Sequence, residues 1–287
     1  MAIGVKLAII QMSMSNNLNL NIEKSTKLIK EAVEKGANII LLPELFENHY
    51  FCQDQQEHLF DLANEVDSHP FLNHFQSLAK KFNVVLPISF FEKSGQAYFN
   101  SLAMINSDGN LLGVYRKTHI PDGPCYQEKY YFNPGDTGFK VWKTSYGNIG
   151  VGICWDQWFP ECSRSMVLQG ADLLLYPTAI GTEPPEAHSI DTKNMWQRAM
   201  IGHAVCNSVY LAASNRVGSE KNMTFYGSSF ICDFMGEKLV EADKLTECIL
   251  YADLNFSDAK TFRAGMGFFR DRRPEKYKIL LTLNGKE

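Results

Sequence analysis

Gly150-Val-Gly-Ile-Cys-Trp-Asp-Gln-Trp-Phe-Pro-Glu161 joins two kinds of local pattern. Ile149 to Ile153 is a short, β-branched, apolar run of the kind that fills a buried strand. Pro160-Glu-Cys-Ser-Arg164 opens with proline, which suits a first helical position because its missing N–H is no loss there. A strand that hands over to a helix through a tight turn is the unit of an α/β fold. Such a turn also lifts its side chain to the sheet edge, as the nucleophile elbow of α/β-hydrolases does, and here that side chain is Cys154. Three readings are open at this point: a buried core thiol, half of a disulfide, or a nucleophile.

The same alternation extends in both directions. Val5 to Ile10 reads as a strand. Asn21 to Lys35 reads as a helix with Ile22, Leu28, Ile29, Ala32 and Val33 on one face and Gly36 as its stop, and Ala37 to Leu42 as a second strand. A helix is expected from about Pro70 to Phe82, with Leu72, Phe75, Leu78 and Ala79 inward, then a strand from Val84 to Phe91. Two hairpins follow. One pairs Ser101–Ile105 with Leu111–His119 across Asn-Ser-Asp-Gly-Asn, the other Phe139–Lys143 with Ile149–Ile153 around Tyr146-Gly-Asn. Further helices are expected after Pro160 and between Ser189 and Cys206. Strands are expected at Asp172–Tyr176, Val209–Ala213, Phe225–Cys232 and Cys248–Leu254. Alternation with interspersed hairpins predicts mixed sheets, and with no linker or repeat the 287 residues read as one domain.

Composition removes several classes of function. The chain is 45% hydrophobic and 21% charged, and its formal net charge of −4 is dispersed, so no basic face invites a nucleic acid. No apolar run reaches membrane-spanning length, and Met1 to Ser13 lacks a basic start and a cleavage site. Seven scattered cysteines (52, 125, 154, 162, 206, 232 and 248) with no CxxC pair suit reduced thiols in a cytoplasmic protein and weaken the disulfide reading. Without HExxH or CxxC there is no zinc signature, and Trp155 stands where GxGxxG needs its third glycine. No metal or organic cofactor is expected.

Two further polar residues end apolar strands. Glu44 follows Ile39-Ile-Leu-Leu-Pro43, where partial desolvation raises a carboxyl toward general-base range. Lys117 follows Tyr115-Arg116, and because neighbours on a strand face opposite ways, one of Arg116 and Lys117 faces inward. An inward lysine is placed to stabilise a developing oxyanion. Taken singly, each also reads as an ordinary strand-end charge. For Cys154, a nearby cation and the N–H groups of a helix start are expected to favour the thiolate. His119 and His203 lack a catalytic context and read as satisfied polar contacts.

Together, Pro43-Glu-Leu-Phe, Tyr115-Arg-Lys-Thr-His-Ile-Pro and Gly152-Ile-Cys-Trp-Asp resemble the nitrilase superfamily of carbon–nitrogen hydrolases, over nearly the whole chain. That resemblance implies a four-layer α-β-β-α sandwich and a Glu-Lys-Cys triad: Glu44 as general base, Lys117 as cationic stabiliser, Cys154 as nucleophile. It also implies a second glutamate, Glu128 in Tyr126-Gln-Glu-Lys-Tyr, positioning Lys117 and substrate. Members build homo-oligomers from dimers, so the same is expected here.

Within that superfamily, Glu47-Asn-His-Tyr-Phe-Cys-Gln53, the His119–Phe132 stretch, Cys154–Glu161 and Ile180-Gly-Thr-Glu-Pro184 resemble the branch that hydrolyses small carbamoyl-amines such as N-carbamoylputrescine. Glu183 matches the position that holds the distal ammonium, a group that needs a carboxylate or an aromatic face once desolvated. The stretch directly after Cys154, Trp-Asp-Gln-Trp-Phe-Pro160, holds no arginine, which disfavours carboxylate-bearing substrates. Trp155, Trp158 and Tyr50 are expected to wall the aliphatic chain. Rival readings are an ω-amidase, a β-ureidopropionase, or a non-catalytic binding protein on the same fold. One departure stands out: Cys125 occupies a position where that branch has glycine.

Overall fold

The computed structural model describes residues 4–182 and 190–286. Its strands and helices run β1 (Val5–Gln11), α1 (Leu18–Glu34), β2 (Ile39–Leu41), α2 (Leu72–Phe82), β3 (Leu86–Ser94), β4 (Ala97–Ile105), β5 (Leu111–Arg116) and α3 (Glu128–Tyr131). They continue with β6 (Val141–Thr144), β7 (Gly147–Val151), α4 (Pro160–Leu168), β8 (Leu173–Thr178), β9 (Gly181–Thr182) and α5 (Lys193–Asn207). The last are β10 (Tyr210–Asn215), β11 (Val217–Glu220), β12 (Met223–Tyr226), β13 (Phe230–Cys232), β14 (Lys238–Glu241), β15 (Cys248–Leu254) and α6 (Phe256–Met266).

The layers follow from period-2 alternation within buried strands. On β1, Leu7 and Ile9 enter a central core while Ala8 and Ile10 face α1 and α2, meeting Ile22, Ile29, Leu72 and Phe75. On β8, Leu173 and Leu175 enter the same central core, while Leu174 and Tyr176 face α4 and α5, meeting Met166, Trp196 and Met200. Strands apolar on both faces must be covered twice, so helix, sheet, sheet and helix stack in that order. This is the α-β-β-α sandwich. One sheet has the order β15-β1-β2 and is bridged from Ile39 to Val85 toward the β3-β4-β5 meander; the other has the order β14-β13-β10-β8-β7-β6. Both mix parallel pairs (β1/β2, β7/β8, β8/β10) with antiparallel ones.

Three departures from expectation have local causes. The expected strand Phe225–Cys232 is split, because Gly227 (φ 51) and Ser228 (φ 56) turn left-handed. β12 then pairs with β11 and β9 while β13 stays in the large sheet. Helix α1 starts earlier than expected because the Asn17 side chain accepts from Leu20 N at 3.2 Å. Helix α2 starts later, at Leu72, and stops where Asn83 turns left-handed (φ 54).

Candidate active site

Glu44, Lys117 and Cys154 lie just past the C-terminal ends of β2, β5 and β7, and Glu128 opens α3. Strand C-termini in α/β sheets are where ligand crevices form. The expectation that one of Arg116 and Lys117 faces inward holds. Arg116 turns outward to Glu92 and Asp136, with its guanidinium over the Phe99 ring, whereas Lys117 is fully buried.

Lys117 Nζ donates to Glu44 Oε1 at 2.9 Å and to Glu128 Oε2 at 2.7 Å. Asn100 Nδ2 donates to Glu44 Oε1 at 2.7 Å, and Tyr50 OH to Glu128 Oε1 at 2.6 Å. Glu44 Oε2 is buried and receives no donor among the described residues. One ammonium between two carboxylates in a dry setting controls all three groups' neighbours. Burial alone would lower the Lys117 pKa, but Glu128 and Glu44 outweigh it and raise it, so Lys117 stays an ammonium. Burial likewise raises Glu128, and the Lys117 charge only partly offsets this. The backbone holds Lys117 tightly as well: Gly135 N donates to its carbonyl at 2.8 Å, and a Cβ on Gly135 would lie 2.1 Å from Arg116 O.

Cys154 opens a 3-10 turn (Cys154–Trp158) that leads into α4, with a left-handed φ of 41. A non-glycine residue held there is strained, as nucleophile-bearing turns often are. The approach is tight: a Cβ on Gly152 would sit 2.7 Å from the Tyr176 ring. The Cys154 thiol faces Ala179 O at 3.9 Å. Burial, then the Glu44 charge, push its pKa up, and Lys117 pulls it down by less. This corrects the expectation of a favoured thiolate: in the dry, net-anionic site the resting sulfur is a thiol.

Cys154 also lines a cavity of about 550 Å³, walled by Asp122, Tyr126, Trp155, Trp158 and Ile180 among others. Trp155, 40% exposed, meets Trp158 edge-on at 6.3 Å. Tyr50 is not on this wall. It is buried behind, against Tyr126 and Phe225, with its hydroxyl on Glu128. Glu183 lies outside the described residues. His203 accepts a bland role, with Nε2 against Gln157 O at 2.8 Å, and His119 pairs with Asp156.

Sequence reasoning missed Asn100, Asp122, Asp156 and Arg216. Asn100 was visible only as a polar residue within the apolar β4. Buried Arg216 donates to the carbonyls of Glu44 (2.7 Å) and Leu45 (3.0 Å) and pairs with Glu220, which accepts from Tyr50 N at 2.6 Å. It thereby holds the Glu44 turn from behind, a role no local pattern announces.

The carbon-nitrogen hydrolase family model matches residues 6–264. The chain belongs to that family. It is 51% identical to the N-carbamoylputrescine amidase of Arabidopsis thaliana, over 98% of this chain and 96% of that one. It is 52% identical to a citrullinase of Francisella tularensis, over 96% and 97% respectively. The crystal structure of a carbon–nitrogen hydrolase from Helicobacter pylori matches with a TM-score of 0.92 at 38% identity, covering 98% of this chain and 99% of that one. The fold and the hydrolase class follow.

Proposed function

We propose that the chain hydrolyses N-carbamoylputrescine to putrescine, carbon dioxide and ammonia, with Cys154 as the nucleophile. The observation that carries this reading is the cavity: Cys154 opens into it, and its described walls carry one carboxylate, Asp122, and no lysine or arginine. The stretch Glu183–Ser189 adds two glutamates to the sequence and no lysine or arginine. An ammonium-tailed substrate suits such a cavity; a carboxylate-tailed one does not.

Glu44, through Oε2, which no donor among the described residues occupies, takes the thiol proton as sulfur attacks the ureido carbon. The resting thiol makes that base necessary. Lys117 and the backbone N–H of Trp155 face the developing oxyanion. One nitrogen leaves with the proton that Glu44 holds, giving a thiocarbamate on Cys154. Water, deprotonated by Glu44, displaces the sulfur, which leaves with that proton as the resting thiol, and the resulting carbamic acid loses carbon dioxide and releases the second nitrogen. Glu128 holds Lys117 in line and keeps it charged. Trp155 and Trp158 wall the aliphatic chain, and Glu183, with Asp122, meets the distal ammonium. We also read the protein as a cytoplasmic homo-oligomer built from dimers. The exposed Ile279, Leu280, Leu281 and Leu283 supply apolar surface of the kind association covers.

The test is ammonia release from N-carbamoylputrescine, citrulline and 3-ureidopropionate, with Cys154→Ala beside the unaltered protein. Selective turnover of N-carbamoylputrescine, lost by a factor on the order of 10⁴ or more in the variant, is expected. Preference for 3-ureidopropionate would sink the ammonium reading and leave the chemistry standing; preference for citrulline, whose tail carries an ammonium and a carboxylate together, would overturn the N-carbamoylputrescine assignment and the exclusion of carboxylate-bearing tails. Glu183→Gln and Asp122→Asn then apportion the anchor. Each should raise KM for N-carbamoylputrescine and leave kcat nearly unchanged, by roughly tenfold or less for a solvent-exposed carboxylate such as Asp122.

A further inference from the structure

Asp156 stands two residues after Cys154, is fully buried, and belongs to none of the roles above. Its carboxylate takes four donors. Oδ1 accepts from His119 N at 3.0 Å and His119 Nδ1 at 2.7 Å; Oδ2 accepts from Tyr115 OH at 2.7 Å and Ile153 N at 3.0 Å. Tyr115 and His119 flank Lys117 at equal distance along the chain, and Ile153 directly precedes Cys154. The His119 ring stacks on Phe159 of the Cys154 turn, with centroids 3.6 Å apart and planes at 4°. Two segments from different sheets, one carrying the cation and one the sulfur, are thus tied through a single side chain.

We infer that Asp156 is a positioning residue that fixes the Lys117 segment against the Cys154 turn, and so sets the alignment of ammonium and sulfur during attack. A carboxylate with four donors cannot shift without stranding one of them in a dry interior, which makes the tie stiff. Stiffness is what the reaction needs, because a misplacement of about 1 Å can cost on the order of 100-fold in rate. Buried Tyr115, whose hydroxyl is held up by burial and by Asp156, remains the neutral donor the tie requires. The inference rests on the proposed roles of Lys117 and Cys154, and alkylation of Cys154 reads their coupling without any substrate.

Asp156→Asn preserves volume but sets its –NH₂ against the N–H of either His119 or Ile153, whichever way the amide turns. It should lower kcat by about 100-fold with KM within about threefold, and Tyr115→Phe by about tenfold. In both, the pH midpoint for iodoacetamide alkylation of Cys154 should rise, since Lys117's influence on the sulfur weakens. In a Lys117→Met background, Asp156→Asn should add almost nothing to that midpoint shift, because the route through Lys117 is already gone. If the variants lose melting temperature but keep kcat and the alkylation midpoint, Asp156 is only a structural tie and the inference falls. It also falls if the shift adds in full to that of Lys117→Met. Should Asp156→Asn not fold, Tyr115→Phe and His119→Ala give the same two readouts. Inactivity of the unaltered protein on N-carbamoylputrescine, with the alkylation coupling intact, would defeat the substrate assignment alone.

Discussion

The Glu44–Lys117–Glu128 cluster and the cavity beside it share one sulfur and are built on opposite rules. The cluster is all charge, fully buried, and every ammonium hydrogen bond runs to a carboxylate held by a third residue. The cavity wall is aromatic and aliphatic, partly open, and carries one carboxylate, Asp122, among the described residues. Buried charges are expensive unless completely paired, so the cluster tolerates almost no rearrangement, whereas an apolar wall exchanges one hydrophobe for another cheaply. The difference teaches where reaction class and substrate choice are stored. A citrullinase and an N-carbamoylputrescine amidase at nearly equal identity to this chain are what one expects if relatives vary the wall and keep the cluster.

Glu44→Gln is the sharpest way to break the cluster. Hydrolysis should fall by about 10² to 10⁴, the usual contribution of a general base. The sign on the sulfur is opposite: the Glu44 charge raises the Cys154 pKa, so its removal lowers it, and the alkylation midpoint should move to lower pH. A protein with a more acidic thiol and almost no turnover would show that Glu44 serves as base rather than as a bystander charge. Retained turnover would end that assignment.

A smaller effect is expected from pH. Burial raises Glu128 above the ordinary carboxylate range, so falling pH protonates it early and removes one of the two charges that hold Lys117. The acid limb of kcat/KM should therefore begin above the range of a free glutamate. Glu128→Gln, which leaves Tyr50 a carbonyl to donate to, should lower kcat roughly 10- to 100-fold and move that limb down. A limb that stays in place in this variant would assign it to another group.

How much of this was legible beforehand divides along the same line. Strand alternation at Val5–Ile10 and Asp172–Tyr176 announced two-faced burial, and hence layered sheets, because period 2 is a local property. Glu44, Lys117 and Cys154 stood out as polar residues ending apolar runs. Their meeting could not be read locally, since they approach from three strands, β2, β5 and β7, each in a different sheet. Arg216 and Asp156 were illegible for the same reason: the partners that give them their roles, the Glu44 and Leu45 carbonyls for Arg216 and Tyr115 and His119 for Asp156, lie far away in sequence, and neither disturbs a pattern. Tyr50 was expected on the cavity wall from its aromatic character, but hydroxyl chemistry put it behind, on Glu128. A buried tyrosine settles where its O–H finds an acceptor.

Cys125 gives the gentlest test of the comparison. It holds φ 61, a left-handed conformation that costs an L-residue about 1 kcal/mol or more and glycine almost nothing. This explains why glycine suits the position in the branch the chain resembles. Cys125 keeps the conformation because the loop is pinned on both sides: Gly123 and Tyr126 exchange backbone hydrogen bonds at 3.1 and 2.9 Å, and Gln127 N donates to Cys52 O at 2.7 Å. Its side chain packs into the cluster around Tyr50 and Phe51, while its neighbours Pro124 and Tyr126 line the cavity. Cys125→Gly removes the strain but also the buried sulfur, and it adds freedom to the unfolded chain. These contributions are each about 1 kcal/mol and oppose one another, so the melting temperature should move by only a few degrees. If the thiol belongs to the packing rather than to the wall, kcat/KM for N-carbamoylputrescine should stay within about threefold. A larger loss would place Cys125 among the residues that shape the substrate, and would move the boundary between packed loop and selective wall one residue inward.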